Sequence, residues 1–336
     1  MSDRGAEIER FLARAGAAQA DRTPLAGDAS NRRYERLTFA DGASLILMDA
    51  PPENGGAIAP FISIADHLDR LGLSPPARKA ASPERGLLLL EDLGDALFAR
   101  LLEADPGAER RLYLAATDVL IALHAAPAPT GAPPYGRSEM TRAAAPAFDW
   151  YGAKATGRDM SAERAAMQSA LSAAFAGLPP WGPVLNLRDY HAENLFWLPS
   201  RAGNARVGLI DFQDACIGHP AYDLASLGRD VRRDVSPETY AEMLAHYCAR
   251  TGQDVRGFEQ AAATLSAQRN LRILGVFTRL ALRDRKRQYI DLIPRTWANL
   301  MRDLAHPALA DLREVVVTSL PAPDASLIQT LKDRCA

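Results

Sequence analysis

Residues 187–196 read Leu-Arg-Asp-Tyr-His-Ala-Glu-Asn-Leu-Phe, and residues 209–214 read Leu-Ile-Asp-Phe-Gln-Asp. Asp189, Asn194 five places on, and Asp211, 22 residues after the first acid, all lie beside short apolar runs. Asp followed five places later by Asn is a weak pattern alone. Each residue also has a plain structural reading: Asp189 in a turn, Asn194 as a cap, Asp211 at a solvated strand end. Taken together they suit one chemistry. Phosphoryl transfer from a magnesium nucleotide needs a carboxylate near the attacking hydroxyl. It also needs a few oxygen ligands for Mg²⁺, whose other ligands are phosphates and water. A loop giving Asp then Asn, followed by a strand end giving Asp, supplies both.

Outward from this core the chain changes character. Pro183–Leu187 and Arg206–Ile210 are short strand candidates, and Leu195–Leu198 continues Asn194 as an apolar strand-like run. Toward the N-terminus, Tyr34–Phe39 and Ser44–Met48 flank Ala40-Asp41-Gly42 and predict a β-hairpin. Ile58–Leu71 places Ile58, Phe61, Ile62, Ala65, Leu68 and Leu71 on one helix face. Gly86–Leu90 reads as a buried strand running into the polar connector Glu91–Asp95. Beyond residue 95 the pattern is mostly helical. Leu112, Ala116, Val119, Leu120 and Leu123 mark one helix, and Ser236-Pro237-Glu238 opens another as N-cap and first turn. Pro127–Tyr135 reads as a loop.

The 336 residues are 48% apolar and 24% charged, with a net charge of −2, ordinary values for a globular enzyme and enough chain for two domains or two lobes. A near-neutral balance argues against nucleic acid as a partner. No apolar run approaches a membrane span, so no membrane association is expected. The charged, helical N-terminal pattern is not a secretory signal. Cys216, Cys248 and Cys335 are too far apart for a zinc site or a disulfide framework, which points to a reduced, cytoplasmic protein. His67, His124, His219, His246 and His306 show no metal spacing, and no Gly-x-Ser-x-Gly hydrolase elbow occurs.

With its Asp-x-x-x-x-Asn loop and later Ile-Asp-Phe strand end, the chain resembles the aminoglycoside-phosphotransferase/choline-kinase-like family of small-molecule kinases. Gly27–Tyr34 (Gly-Asp-Ala-Ser-Asn-Arg-Arg-Tyr), Met48–Pro52, Glu91–Gly94 and Arg188–His191 look most like the branch acting on the anomeric hydroxyl of N-acetylmuramate and N-acetylglucosamine in bacterial cell-wall recycling. The resemblance spans residues 20 to 300. It implies an α+β, two-lobed, protein-kinase-like fold: a small β-rich N-lobe (1–95) that binds nucleotide and a large helical C-lobe (96–336) with the catalytic loop and acceptor site. It implies ATP and Mg²⁺, and a small-molecule amino-sugar acceptor.

Carried over residue by residue, the resemblance makes Asp189 the catalytic base, His191 a loop-positioning residue of the catalytic segment, and Asn194 and Asp211 the Mg²⁺ ligands. Asp223 becomes the buried acid that braces the loop. The turn Gly27, Asp28, Ala29, Ser30 and Asn31 would cover the phosphates, and the backbone of Glu91, Asp92 and Leu93 would meet adenine. Two positions depart from the family pattern. Met48 stands where a phosphate-pairing lysine is expected, leaving Arg32 or Arg33 as the substitute cation or as exposed strand residues. Leu187 replaces the first histidine of the loop.

For the acceptor, Glu139 with Asp149, Trp150 and Tyr151 combines carboxylates with an aromatic pair, which suits a sugar, or else the aromatics are core. Asn270 and Arg272 belong to a cation-rich segment that, with Lys286–Tyr289, is expected to bracket a helix. One or two of these groups would meet a carboxylate or an acetamido carbonyl, and the rest would form a solvated face. Another acceptor (aminoglycoside, choline, homoserine, a different sugar) and a non-catalytic nucleotide-binding protein remain the alternatives. Oligomeric state is not legible in the sequence.

Overall fold

The computed structural model describes residues 3–25, 32–52 and 58–335. The turn Gly27–Asn31, expected over the phosphates, lies outside them. Among the described residues nine strands run in chain order: β1 Asp21–Leu25, β2 Arg33–Thr38, β3 Ser44–Asp49, β4 Arg78–Ser82, β5 Leu87–Glu91, β6 Val184–Asn186, β7 Leu195–Trp197, β8 Val207–Leu209 and β9 Cys216–Gly218. The helices are α1 Asp3–Arg14, α2 Ala59–Arg70, α3 Phe98–Ala104, α4 Glu109–His124, α5 Arg137–Ala143, α6 Ala153–Thr156, α7 Ser161–Ala176, α8 Ala221–Gly228, α9 Pro237–Thr251, α10 Val255–Asp284, α11 Ile293–Asp303, α12 Ala310–Ser319 and α13 Ala325–Asp333. By density of internal contact the chain forms two units, Met1–Ala108 with Ala192–Asp214, and Glu109–His191 with Ala215–Ala336. The boundary expected after residue 95 falls within the first unit, which also takes in residues 192–214.

In the first unit a five-stranded antiparallel sheet runs β1-β2-β3-β5-β4. The expected hairpin is β2–β3, with Tyr34 opposite Met48 and Leu37 opposite Leu45. Side chains alternate across a strand, so Leu37, Leu47, Leu87 and Leu89 share one face. That face packs on Ile8, Phe11 and Leu12 of α1. The helical N-terminal pattern thus supplies a helix that covers this sheet. Gly86, in the turn between β4 and β5, has φ +64°, and a Cβ there would stand 1.9 Å from the Ala50 carbonyl oxygen, so only glycine fits. The β7–β8 hairpin joins the same unit: Leu209 N–H donates to Ser74 O (2.9 Å) and Trp197 N–H to Ala96 O (2.8 Å).

The second unit is helical apart from the short β6–β9 pair. Its axis is the 30-residue α10, capped by Asp254, whose carboxylate accepts from Gly257 N–H at 2.7 Å. α10 packs against α8, α9, α11 and a π-helical turn at Ala147–Gly152. The turn comes so close that a Cβ on Gly275 would lie 2.0 Å from the Pro146 carbonyl carbon. Ser236 caps α9 as expected, accepting from Thr239 N–H at 3.2 Å. The cation-rich segments do not bracket a helix: Arg269–Arg272 lies in the middle of α10, and Lys286–Tyr289 follows its end. No helix among the described residues is long and apolar enough to cross a membrane.

Candidate active site

Asp189 follows β6 on a loop built by one buried acid. The Asp223 carboxylate, 0% exposed in α8, accepts from Leu187 N–H at 2.6 Å and from Arg188 N–H at 2.9 Å. Asp189 N–H then donates back to Leu187 O at 2.9 Å, and Arg188 has φ +69°. An N–H bonded two residues back through a residue of positive φ is a γ-turn of the strained sense. Such backbone persists only where its surroundings over-determine it, and it concentrates at functional sites. Burial pushes the Asp223 carboxyl up to about 7, against the pull of the two N–H donors. Tyr190 anchors the next position, its hydroxyl donating to Ala116 O at 2.8 Å.

His191 is buried, with Nε2 3.4 Å from an Arg232 guanidinium nitrogen. Burial first, then the Arg232 and Arg269 charges, hold its basicity well below the usual range. A neutral, enclosed imidazole suits positioning the loop better than shuttling protons. Leu187, in place of a histidine, is buried and meets Asp223 through its backbone alone.

Asn194 and Asp211 flank the β7–β8 hairpin of the first unit. Ile210 N–H donates to Asn194 O at 3.2 Å, which brings the two side chains together, Asn194 Nδ2 to Asp211 Oδ2 at 3.4 Å. Gln213 Nε2 donates to the other Asp211 oxygen at 2.8 Å. Asp211 has φ +60°, so two of the three positive-φ non-glycine residues described are Arg188 and Asp211. Phe212 stacks on Phe61 of α2, ring centroids 4.9 Å apart, and fixes the strand end. A carboxylate beside an amide that presents its oxygen on rotation is an oxygen donor set of the kind Mg²⁺ takes with phosphates and water. These residues therefore fit the metal.

Glu91, Asp92 and Leu93, expected to meet adenine, stand at the C-terminal end of β5. The Glu91 side chain is taken by Arg201 and by Ala77 N–H (3.1 Å), and Glu91 N–H donates to Ala77 O (2.8 Å). Arg36 holds Asp92 at 2.7 Å, and Asp92 accepts from Gly94 N–H at 2.9 Å. Leu93 rests over Gly208, where a Cβ would meet its side chain at 3.0 Å. Met48, at the lysine position, is fully buried. Arg33 points outward, 73% exposed and 3.9 Å from Asp49. Arg32 is partly buried and bonded to the Tyr34 phenol. Burial raises that phenol's pKa; Arg32 opposes the rise, and the Asp211 charge adds to it.

The acceptor candidates are not brought together. Tyr151 is core, its hydroxyl donating to Pro321 O at 2.7 Å. Asp149 pairs with Arg164 at 2.6 Å on the surface, and Trp150 packs under Lys154. The π-turn points these neighbours in different directions. Glu139 caps α5, accepting from Gly136 N–H at 3.1 Å. Asn270 is 1% exposed, its amide nitrogen donating to Ser266 and Asp303 while its oxygen finds no partner. Arg272 stays partly exposed. Sequence reasoning gave Tyr135 and Tyr222 no role and Arg188 none beyond the family motif; with Arg269 of the cation-rich segment they gather near Asp189. Arginines on a helix read as a solvated face, and only burial separates Arg269 from that reading.

Residues 21–264 match the phosphotransferase enzyme family. The chain is 40% identical to the N-acetylmuramate/N-acetylglucosamine kinase of Caulobacter vibrioides, over 93% of this chain and 95% of that one. In three dimensions it is similar to a choline/ethanolamine kinase family protein from Mesorhizobium loti, with a TM-score of 0.62 at 17% identity, covering 93% of this chain and 99% of that one. It is also similar to the GDP complex of aminoglycoside 2'-phosphotransferase-IIIa, with a TM-score of 0.61 at 14% identity, covering 90% and 99%. An acid displayed on a pinned turn, an Asn–Asp pair on the following hairpin, and this match across most of the length agree: the chain belongs to the phosphotransferase enzyme family and is a kinase of the protein-kinase-like fold.

Proposed function

We propose that the protein transfers the γ-phosphoryl group of ATP to the anomeric hydroxyl of an N-acetylated amino sugar, N-acetylmuramate or N-acetylglucosamine. The Asp223-clamped turn that displays Asp189 carries the chemistry, and the name of the relative at 40% identity supports the acceptor class. Asp189 orients the sugar hydroxyl and takes its proton as the oxygen attacks the γ-phosphorus and the bond to ADP breaks. Asn194 and Asp211 would hold Mg²⁺, which when bound would supply charge neutralisation at the phosphate oxygens. His191, neutral and enclosed, keeps the loop in place. A free sugar captured as its phosphate at the expense of ATP belongs to salvage of cell-wall fragments in the cytoplasm.

A coupled ADP-release assay over N-acetylmuramate, N-acetylglucosamine, choline and kanamycin tests this. The expected result is turnover with the two sugars, loss of their reducing ends, and a fall of about 10²–10⁴-fold in kcat for Asp189→Asn with nucleotide affinity retained. Turnover with choline or kanamycin alone overturns the acceptor assignment. Nucleotide binding without turnover on any acceptor favours a non-catalytic role, the reading that buried Met48 supports.

A further inference from the structure

Around Asp189 the second unit gathers three guanidinium groups. Arg188 belongs to the γ-turn itself, and Arg269 and Arg272 stand three residues apart on α10, neighbours on the helix surface. The Arg188 guanidinium lies 5.1 Å from the centre of the Tyr135 ring, and that ring meets Tyr222 of α8 edge-on at 5.7 Å. Tyr135 is fixed by its backbone N–H, which donates to Ile217 O of β9 at 2.8 Å. Arginine and phenols are thus held by three elements and a loop end, none of them a surface ornament.

Three polar groups of this cluster, on Arg269, Tyr222 and Tyr135, are unmatched. Arg269 is 5% exposed, Tyr222 1% and Tyr135 8%. Among the described residues, Arg269 Nη1 and the hydroxyls of Tyr222 and Tyr135 find no hydrogen-bond partner. Leaving such a group alone is costly, and folded proteins leave few of them. The charges converge as well. The Tyr222 phenol sits in the field of Arg272, Arg269 and Arg188, and burial keeps it protonated and able to donate. Arg269 in turn interacts with Asp189 and Asp230. Asp223 also lies in the field of Arg269, but both its oxygens are engaged by backbone donors, so it leaves Arg269 Nη1 without a hydrogen bond.

We propose that Arg269, with the Tyr222 and Tyr135 hydroxyls, forms a subsite for a carboxylate carried by the acceptor. The proposal rests on the amino-sugar assignment and deepens it. N-acetylmuramate bears a lactyl carboxylate that N-acetylglucosamine lacks, and donors already buried and desolvated favour the acceptor that completes them. Positive charge at the same place works against the cationic acceptors, choline and kanamycin.

The test compares kcat/KM for the two sugars in wild type, Arg269→Met and Tyr222→Phe, each checked for a native melting transition. Arg269→Met is expected to lose at least about tenfold on N-acetylmuramate, equivalent to about 1.4 kcal/mol, with N-acetylglucosamine changed much less. Tyr222→Phe, which deletes a single oxygen from a packed ring, is expected to lose in the same direction and guards against a misfolded arginine variant. Equal losses on both sugars overturn the proposal and assign these groups to the transferred phosphoryl group or to packing. If wild type phosphorylates neither sugar, the amino-sugar assignment fails on its own. The subsite is then scored by calorimetry with D-lactate, where binding lost in Arg269→Met supports it and no binding to wild type overturns it.

Discussion

Removing the Asp223 carboxylate tests whether the catalytic loop is held by force or merely packed. Two backbone N–H groups, of Leu187 and Arg188, end on its oxygens at 2.6 and 2.9 Å, and Leu187 is buried. Orphaning two such donors costs about 1–3 kcal/mol each, so Asp223→Ala should destabilise the protein by about 2–6 kcal/mol. The same bonds oppose the strain at Arg188, where a positive φ in a non-glycine residue costs roughly 1–3 kcal/mol. Without the clamp, relaxation of the turn becomes downhill and carries Asp189 with it. A displacement of about 1 Å at a reacting group lowers turnover by about 10²-fold. Asp223→Asn keeps one acceptor oxygen and turns an N–H₂ toward the second donor. It also removes a buried charge whose pKa already stands at about 7, so its stability loss should be the smaller of the two. Urea unfolding and steady-state kinetics read the result. We expect a 10²-fold or greater fall in kcat for the alanine variant, with KM for ATP nearly unchanged. An alanine variant with wild-type melting and kcat within a few-fold of normal would refute the clamp.

Two further predictions concern the first unit. Asp211→Ala should abolish the Mg²⁺-dependent part of nucleotide binding, measured by calorimetry with and without the metal; unchanged affinity would leave the strand end a structural feature. Arg32→Ala should lose at least about tenfold in kcat/KM for ATP and Arg33→Ala almost nothing. The reason is that Arg32 sits with Tyr34 in the field of Asp211, whereas Arg33 faces outward beside Asp49. Silence in both variants would mean that backbone and metal alone hold the phosphates.

The local elements were legible because each depends on signals a few residues apart. The β2–β3 hairpin, α2, β5, the cap at Ser236 and the strands around Asn194 and Asp211 all follow from alternation, helical spacing or turn chemistry, and their ends fall within a residue or two of expectation. The order of Asp189, Asn194 and Asp211, with the family resemblance, was enough to name the chemistry. The acceptor candidates fared differently. Trp150 and Tyr151 are adjacent in sequence, but a π-turn sends one toward Lys154 and the other into the core. Asn270 and Arg269 are neighbours on one helix, and both are buried: the Asn270 amide nitrogen is taken by Asp303 and Ser266, while its oxygen and one Arg269 nitrogen stay unmatched. No short-range pattern carries that distinction, because it depends on which distant elements, α8, α11 and the loop ending at Tyr135, close over each side chain. Sequence spacing therefore determined the elements and the reactive trio, while burial and long-range partners, which only the tertiary structure supplies, decided which charged residues are spent on the fold and which remain to meet a ligand.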